Sequence, residues 1–108
     1  MENISENIRT QMRKGLLEYF ILRILNKGES YASSIIEALK DADMIVVEGT
    51  LYPLLIRLKN QGVLTYRWEE STQGPPRKYY MITEKGENLL REMDAAWNEL
   101  VESINKLK

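Results

Sequence analysis

Apolar residues recur along the first quarter of the chain with the spacing of an amphipathic helix. The series at four-residue intervals is Ile4, Ile8, Met12, Leu16 and Phe20. Since an α-helix turns once in about 3.6 residues, these positions share one face, and they predict a helix from about Ser5 to Asn26. Ser5 is the expected N-cap, and Gly28 is expected to end the helix.

Two shorter helices are predicted next. One runs from the N-cap candidate Ser30 to about Ala42. The other starts between Glu48 and Thr50 and ends at Gly62, with an apolar face of leucines at positions 51, 54, 55 and 58. A start at Thr50 suits Pro53 best, because proline lacks the amide hydrogen that only the first helical turn leaves without a partner.

The apolar spacing then changes to that of β-strands. The segments Val63–Glu70 and Tyr79–Ile82 predict a hairpin, joined by a polar loop over Ser71–Pro76. Thr83 is expected to cap a fourth helix. That helix has apolar positions alternately three and four residues apart, as in a coiled-coil seam: Leu90, Met93, Trp97, Leu100, Ile104 and Leu107.

The order of these elements is that of a winged helix-turn-helix followed by one more helix. The predicted fold class is therefore mainly α with a small β-hairpin. We expect residues 1–83 to form the winged helix-turn-helix, including the N-terminal helix. Residues 84–108 are expected to form a dimerisation helix that packs with the first helix as one structural unit.

Composition argues against several classes of function. The 108-residue chain has no cysteine and no histidine, which removes disulfides, thiolate zinc sites and histidine general bases. We therefore expect no enzyme, no metal site and no cofactor. The polar stretch Met1–Thr10 does not resemble a signal peptide, and no segment has the roughly 18 apolar residues of a membrane span. The expected location is the cytoplasm.

The distribution of charge restricts any contact with nucleic acid to one region. The formal net charge is −1, so the protein as a whole does not attract DNA. Basic residues are nevertheless concentrated in the middle of the chain, at Arg57, Lys59, Arg67, Arg77 and Lys78. A DNA interface would have to be built locally from this segment.

Several motifs carry a family resemblance. Gly49-Thr50-Leu51-Tyr52-Pro53 opens the third helix, Arg77-Lys78-Tyr79-Tyr80 follows the hairpin loop, and Thr83-Glu84-Lys85-Gly86 begins the fourth helix. Together with Trp97, they resemble the PadR family of bacterial transcriptional repressors, in its short form with a single C-terminal helix. The resemblance covers nearly the whole chain.

The resemblance implies a homodimer with a recognition helix in the major groove and a wing on the flanking backbone or minor groove. It also implies repression, often relieved by a small aromatic or cationic ligand. One departure concerns Ala32 and Ser33, where the family usually has a glycine and then a larger residue. The resemblance therefore does not extend to a phosphate contact made by a larger side chain at that point.

The third helix is the expected DNA-reading element, because its leucines occupy only one face. The residues left for DNA are Gly49, Thr50, Tyr52, Pro53, Arg57 and Asn60. Arg77 and Lys78 are expected to contact phosphates from the wing. The alternative is that one of them forms a salt bridge with Glu69 or Glu70 across the hairpin.

The seam of the fourth helix predicts homodimerisation, the alternative being a helix laid on its own domain. Trp97 is bulky for a seam position, and paired indoles at the dimer axis could stack on a small planar hydrophobic ligand. Met12 is expected to line the same pocket. The alternative is that Trp97 and Met12 are plain dimer core. Trp68 is expected to serve in packing.

The leading hypothesis is a sequence-specific DNA-binding repressor. It would bind a near-palindromic double-stranded operator as a homodimer and be released by a small aromatic or hydrophobic ligand. The alternatives are a winged-helix module for protein contacts and a dimer that mainly senses small molecules. Exposed apolar residues on the third helix would favour protein contacts, whereas its polar residues, such as Thr50 and Asn60, favour DNA.

Overall fold

The computed structural model describes residues 3–108; Met1 and Glu2, the start of the polar N-terminal stretch, lie outside the described residues. The helices are α1 (Ile4–Lys27), α2 (Ala32–Asp41), α3 (Glu48–Asn60) and α4 (Glu84–Leu107). The strands are β1 (Ser30–Tyr31), β2 (Leu64–Ser71) and β3 (Gly74–Ile82). The predicted class, mainly α with a hairpin wing and a terminal helix, is confirmed.

Helix α1 begins earlier than predicted because Asn3, not Ser5, is its N-cap. The Asn3 Oδ1 accepts a hydrogen bond of 3.1 Å from the Glu6 amide. Both residue types cap helices well, but capping at Asn3 brings Ile4 into the helix with the rest of its apolar series. The helix ends at Gly28, as predicted.

A short strand, β1, was not predicted from the sequence. Ser30 and Tyr31 pair antiparallel with Tyr80 and Tyr79, which gives a three-stranded sheet of order β1-β3-β2. The prediction of Ser30 as N-cap of α2 is therefore wrong; Tyr31 occupies that position, and no side chain caps the helix. Two residues are too few to show a strand period, and their pairing depends on a segment nearly 50 residues away.

Helix α3 starts within the predicted range, at Glu48 rather than at the preferred Thr50, but ends earlier than predicted. It starts at Glu48, so Pro53 lies in its sixth position rather than in its first turn. The carbonyl of Gly49 consequently receives no amide hydrogen from position 53, which is tolerable because both residues are exposed to solvent. The predicted end at Gly62 is too late, since the helix stops at Asn60; Gly62 adopts a φ of 77°, which glycine accepts without strain.

The wing, formed by β2 and β3, is longer than predicted. Because β3 starts at Gly74, the predicted loop over residues 71–76 is reduced to a two-residue turn. A bulge opposite Glu70 accommodates Pro75 and Pro76. Prolines are tolerated here because β1 does not extend along this end of β3, which leaves it an edge.

One hydrophobic core joins all four helices to the sheet. Its fully buried large side chains are Ile21, Leu22, Ile35, Leu39, Leu51, Leu55, Leu58 and Leu64. The second half of α1 passes through the centre of this core. The first half of α1 does not, and Ile4, Ile8 and Met12 remain exposed.

Thr83 caps α4, as predicted, and also ties the wing to α3. Its hydroxyl accepts a hydrogen bond of 3.0 Å from the Gly86 amide and donates one of 2.7 Å to the Gly62 carbonyl. Lys85 adds a hydrogen bond of 2.8 Å from its ammonium to the Gln61 carbonyl. The end of α3, the end of β3 and the start of α4 are therefore fixed to one another.

Helix α4 divides into a buried and an exposed half. Leu90 is only 3% exposed and belongs to the core of its own chain, so its assignment to a dimer seam is wrong. Met93 also packs against that core. The later seam positions, from Trp97 to Leu107, are exposed. Within residues 3–108, none of the helices has the length and apolar character needed to cross a membrane.

Candidate nucleic-acid interface

A groove of about 440 Å³ lies between the start of α2, the start of α3 and the wing. We refer to it as the wing groove. Its lining residues are Tyr31, Ala32, Ser33, Glu48, Tyr52, Trp68, Pro76, Arg77, Lys78 and Tyr80.

Two helices present their N-terminal ends to the wing groove. Neither α2 nor α3 has a side-chain hydrogen bond at its N-cap, which is Tyr31 in one helix and Val47 in the other. The first amide hydrogens of a helix have no intrahelical partner and lie at the positive end of its dipole. Such helix starts favour anions, and phosphate in particular.

The basic side chains of the groove are held over aromatic rings. The Lys78 Nζ lies 4.5 Å from the centre of the Tyr66 ring and 5.5 Å from that of Trp68. The Arg77 Cζ lies 5.2 Å from the centre of the Tyr31 ring. Cation–π contacts of this kind orient the positive charges without neutralising them.

The two predicted wing contacts, Arg77 and Lys78, form no ion pair with a carboxylate of residues 3–108. The alternative of a salt bridge from either residue to Glu69 or Glu70 is therefore wrong. Arg67 takes that role, with its guanidinium 3.3 Å from the Glu69 carboxylate and 3.2 Å from that of Glu29. Within the described part of the chain, Arg77 and Lys78 therefore remain unpaired at the wing groove, whose lining also includes the carboxylate of Glu48.

Arg67 anchors the root of the wing on the opposite face of the hairpin. Its guanidinium carbon lies 4.6 Å from the centre of the Tyr79 ring. The hydrogen bond to Glu29 holds the pKa of Arg67 above its usual value. Because Glu29 directly precedes β1, this contact fixes the hairpin to the segment between α1 and α2.

The comparison with known proteins agrees with this geometry. A family model described as the transcriptional regulator PadR-like family matches residues 21–92, which include α2, α3, the wing and the start of α4. The chain belongs to the PadR family. A PadR protein is a DNA-binding transcriptional regulator, generally without enzymatic activity, and members of the family typically dimerise.

Solved structures of PadR proteins match nearly the whole chain. A PadR-like transcription factor from Bacteroides fragilis is 60% identical, with a TM-score of 0.82, over 94% of this chain and 99% of its own. A PadR family regulator from Eggerthella lenta is 34% identical, with a TM-score of 0.90, over 96% of this chain and 91% of its own. A PadR-like regulator from Bacillus cereus is 37% identical, with a TM-score of 0.78, over 90% of this chain and 95% of its own.

In this PadR chain the predicted DNA-reading residues lie on different sides of α3. The positions opposite the leucine face are Gly49, Pro53, Ile56 and Asn60, and all of them are exposed. Tyr52 lines the wing groove on one flank. The helical repeat of about 3.6 residues places Thr50 and Arg57 on the opposite flank of α3 from Tyr52. Ile56 was not predicted from the sequence as part of this surface; it is 58% exposed on the face expected to be polar.

Arg57 has a partner that its sequence position does not reveal. Its guanidinium forms an ion pair with the carboxylate of Glu18 on α1, while 60% of the Arg57 side chain remains exposed. Glu18 is more buried than Arg57 and follows the core residue Leu17 directly. The ion pair connects the proposed reading helix of this PadR protein to α1.

A second groove, of about 640 Å³, lies along α1 and includes Trp97 of α4. We refer to it as the α1–α4 groove. Its aromatic and apolar lining consists of Leu16, Tyr19, Phe20, Ile24, Ala38, Ala42 and Trp97. Met12, predicted to line the ligand pocket of this PadR protein, does not border the groove in a single chain.

The Tyr19 hydroxyl connects α1 to α4 inside this groove. It donates a hydrogen bond to the Asp94 carboxylate, and the Arg23 guanidinium lies 3.6 Å from the same carboxylate. The hydrogen bond to Asp94, together with burial, raises the pKa of Tyr19 above its usual value. Among residues 3–108, no cluster of three or more carboxylates approaches the arrangement of a metal site.

Proposed function

We propose that this PadR protein is a transcriptional repressor that binds a near-palindromic operator as a homodimer. The observation that carries the proposal is the meeting of two uncapped helix starts with Arg77 and Lys78 in the wing groove. Two helix starts, Arg77 and Lys78 border one concave surface together with the carboxylate of Glu48, although the whole chain has a formal net charge of −1. Backbone phosphates of duplex DNA fit this pattern.

In this proposal α3 enters the major groove next to the bound phosphates. Gly49 lets the backbone approach DNA closely, and Asn60 and Thr50 offer hydrogen-bonding groups to bases or phosphates. Ile56 offers an apolar contact suited to a thymine methyl group. Tyr52 and Pro53 complete the surface of the helix start.

Two exposed apolar stripes support the homodimer. One is the first half of α1, with Ile4, Ile8 and Met12, and the other is the second half of α4. Monomeric proteins rarely leave such stripes open to water, because covering them stabilises by about 25 cal/mol per Å² of apolar surface. Trp97, Leu100, Ile104 and Leu107 remain the proposed seam. A symmetric dimer would present two copies of α3 about 34 Å apart, one turn of DNA.

Removing Lys78 or Arg57 is expected to weaken operator binding without unfolding the protein. Lys78→Ala should weaken binding about tenfold. It should also make the negative slope of log affinity against log salt shallower by about one, because one phosphate contact is lost. Arg57→Ala should weaken binding by a similar factor. The measurement is a mobility-shift titration, at several salt concentrations, against duplex from upstream of the protein's own coding region.

The control is Lys40→Ala, which removes an exposed lysine at the opposite end of α2 from the wing groove. It should bind as the wild type does, and thermal melting should show that all three variants are folded. Wild-type affinity in both Lys78→Ala and Arg57→Ala would contradict the proposed site. Transcription from the same promoter in vitro should fall when the wild-type protein is added, and a rise would contradict repression.

We further propose that a small planar aromatic or hydrophobic ligand releases the protein from its operator. The α1–α4 groove supports this, because Trp97, Tyr19 and Phe20 offer three aromatic side chains within a volume suited to such a molecule. Glu18, the partner of Arg57 on α3, belongs to the same helix α1 but lies on the face turned away from this groove. A ligand that moves α1 would therefore act on the reading helix through a direct ion pair.

Binding to this groove is expected to quench the emission of Trp97. Acridine orange, a planar aromatic dye, should quench wild-type tryptophan fluorescence with saturation, because its rings stack on the indole. Trp68→Phe should retain the quenching, since Trp97 is then the sole tryptophan. Trp97→Phe should abolish it. Equal quenching in Trp97→Phe, where only Trp68 remains, would show that the dye binds elsewhere.

A winged-helix module for protein contacts is the second candidate function. The exposure of Ile56, together with that of Ile45 and Val47 before α3, favours it. The mobility-shift titration separates the two candidates. DNA binding that depends on Lys78 supports the first, whereas no shift at low salt, with a folded protein, supports the second.

A further inference from the structure

Trp68 is a large apolar side chain left open to solvent on the wing. It is 61% exposed, so the expectation that it serves in packing is wrong. Its ring meets that of Tyr66 edge to face, with 6.0 Å between the ring centres. Removing a tryptophan side chain from water is favourable in free energy. The free protein does not gain this free energy at Trp68, but a complex that covers the indole would.

The position of Trp68 identifies the chemistry of that partner. Trp68 lines the wing groove, as does Tyr52 of α3, and it lies on the same face of the hairpin as Lys78. Its directly paired residue on β3 is Lys78, whose ammonium lies 5.5 Å from the indole centre. No carboxylate of residues 3–108 lies within ion-pair distance of the Lys78 ammonium, so no acidic side chain competes with an anion for it. An apolar plate next to a free cation matches a deoxyribose next to its phosphate.

We propose that the Trp68 indole packs against the sugar of the DNA strand that occupies the wing groove, while Lys78 binds the adjacent phosphate. The proposal rests on the proposed function, since it needs DNA in that groove. The contact between the Trp68 indole and the sugar would add apolar surface to an interface otherwise made of charged groups. Apolar contact releases no counterions, so it adds affinity that does not depend on salt, unlike the contact of Lys78.

Fluorine NMR on the full protein tests the contact directly. Wild-type protein labelled with 5-fluorotryptophan has two resonances, because the chain has two tryptophans. The Trp68 resonance is identified by its absence in Trp68→Phe. On addition of duplex from upstream of the protein's own coding region, the Trp68 resonance is expected to shift. A Trp68 resonance unmoved at saturating duplex would overturn the inference.

Affinity measurements give the second readout. Trp68→Ala is expected to bind the same duplex about tenfold more weakly, the scale of losing one aromatic contact to nucleic acid, with an unchanged salt slope. Trp68→Phe, which keeps an aromatic ring, should lose less. Wild-type affinity in Trp68→Ala would also overturn the inference while the proposed function stands. If the wild-type protein itself fails to bind duplex at low salt, the proposed function fails and the contact with it.

Discussion

Replacing Leu100 and Ile104 together by aspartate is expected to convert the protein from a dimer to a monomer and to weaken operator binding by at least about 100-fold. These side chains are 58% and 54% exposed in the single chain, so the variant should fold normally. In a dimer both would be buried, and a carboxylate buried without a partner strongly opposes association. A monomer carries only one copy of α3, so it loses the gain in affinity that two linked DNA-binding sites provide, which is about 10²–10⁴-fold.

The matched control adds the same two charges to the other side of the same helix. Asn98 and Asn105 lie away from the proposed seam in the heptad pattern and are exposed. The variant Asn98→Asp/Asn105→Asp should therefore remain dimeric and bind the operator. Sedimentation equilibrium at micromolar concentration gives the oligomeric state, and mobility shift gives the affinity. A Leu100→Asp/Ile104→Asp protein that stays dimeric would rule out the second half of α4 as the interface.

Gly86→Ala is expected to destabilise the protein more than any other single methyl added at a glycine, by about 3 kcal/mol. A Cβ at position 86 would lie 1.9 Å from the Val63 carbonyl oxygen and 2.7 Å from the Ile82 Cγ1. The first of these is backbone, so it cannot rotate away as a flexible side chain would. Either α4 must move off the sheet or the Thr83 cap must break, and both disrupt the joint that holds the wing to α3.

Gly49→Ala is the control for the same kind of change. A Cβ there would contact nothing within 4 Å, and alanine favours the helix by about 1 kcal/mol. We therefore expect unchanged or slightly raised stability in urea denaturation, measured at equal protein concentration because dimer stability depends on concentration. Equal midpoints for Gly86→Ala and the wild type would show that α4 does not start in close contact with the Val63 carbonyl.

The sequence could predict the long elements because their signals are local. The periodic leucines of α3 and the capping threonine of α4 specify a face and a start within a few residues. The strand β1 could not be found this way, since its pairing with Tyr79 and Tyr80 is set by the fold. The extension of β3 through Pro75 and Pro76 was missed for the same reason, because proline suggests a loop unless the edge of the sheet is known.

The candidate site was predicted in its charges but not in its contacts. Arg77 and Lys78 follow from the family resemblance and from the local excess of positive charge. The ion pair of Arg57 with Glu18 joins residues far apart in sequence, so no spacing could indicate it. Trp68 was misjudged because strand alternation places it on the same face as Tyr66, which packs against the core. The wing extends past the edge of the core, so Trp68, two residues further along the strand, is exposed to solvent.

Selection of bound sequences from a pool of randomised duplexes tests the central claim most directly, since it works without a known operator. Two α3 helices on one symmetric dimer should enrich duplexes with two inverted half-sites, their centres about one helical turn apart. Inserting about five base pairs, half a turn of DNA, between the half-sites should then abolish the gain from the second half-site. Enrichment of a single half-site, or of no sequence at all, would contradict the account of this protein as a dimer that reads DNA with α3.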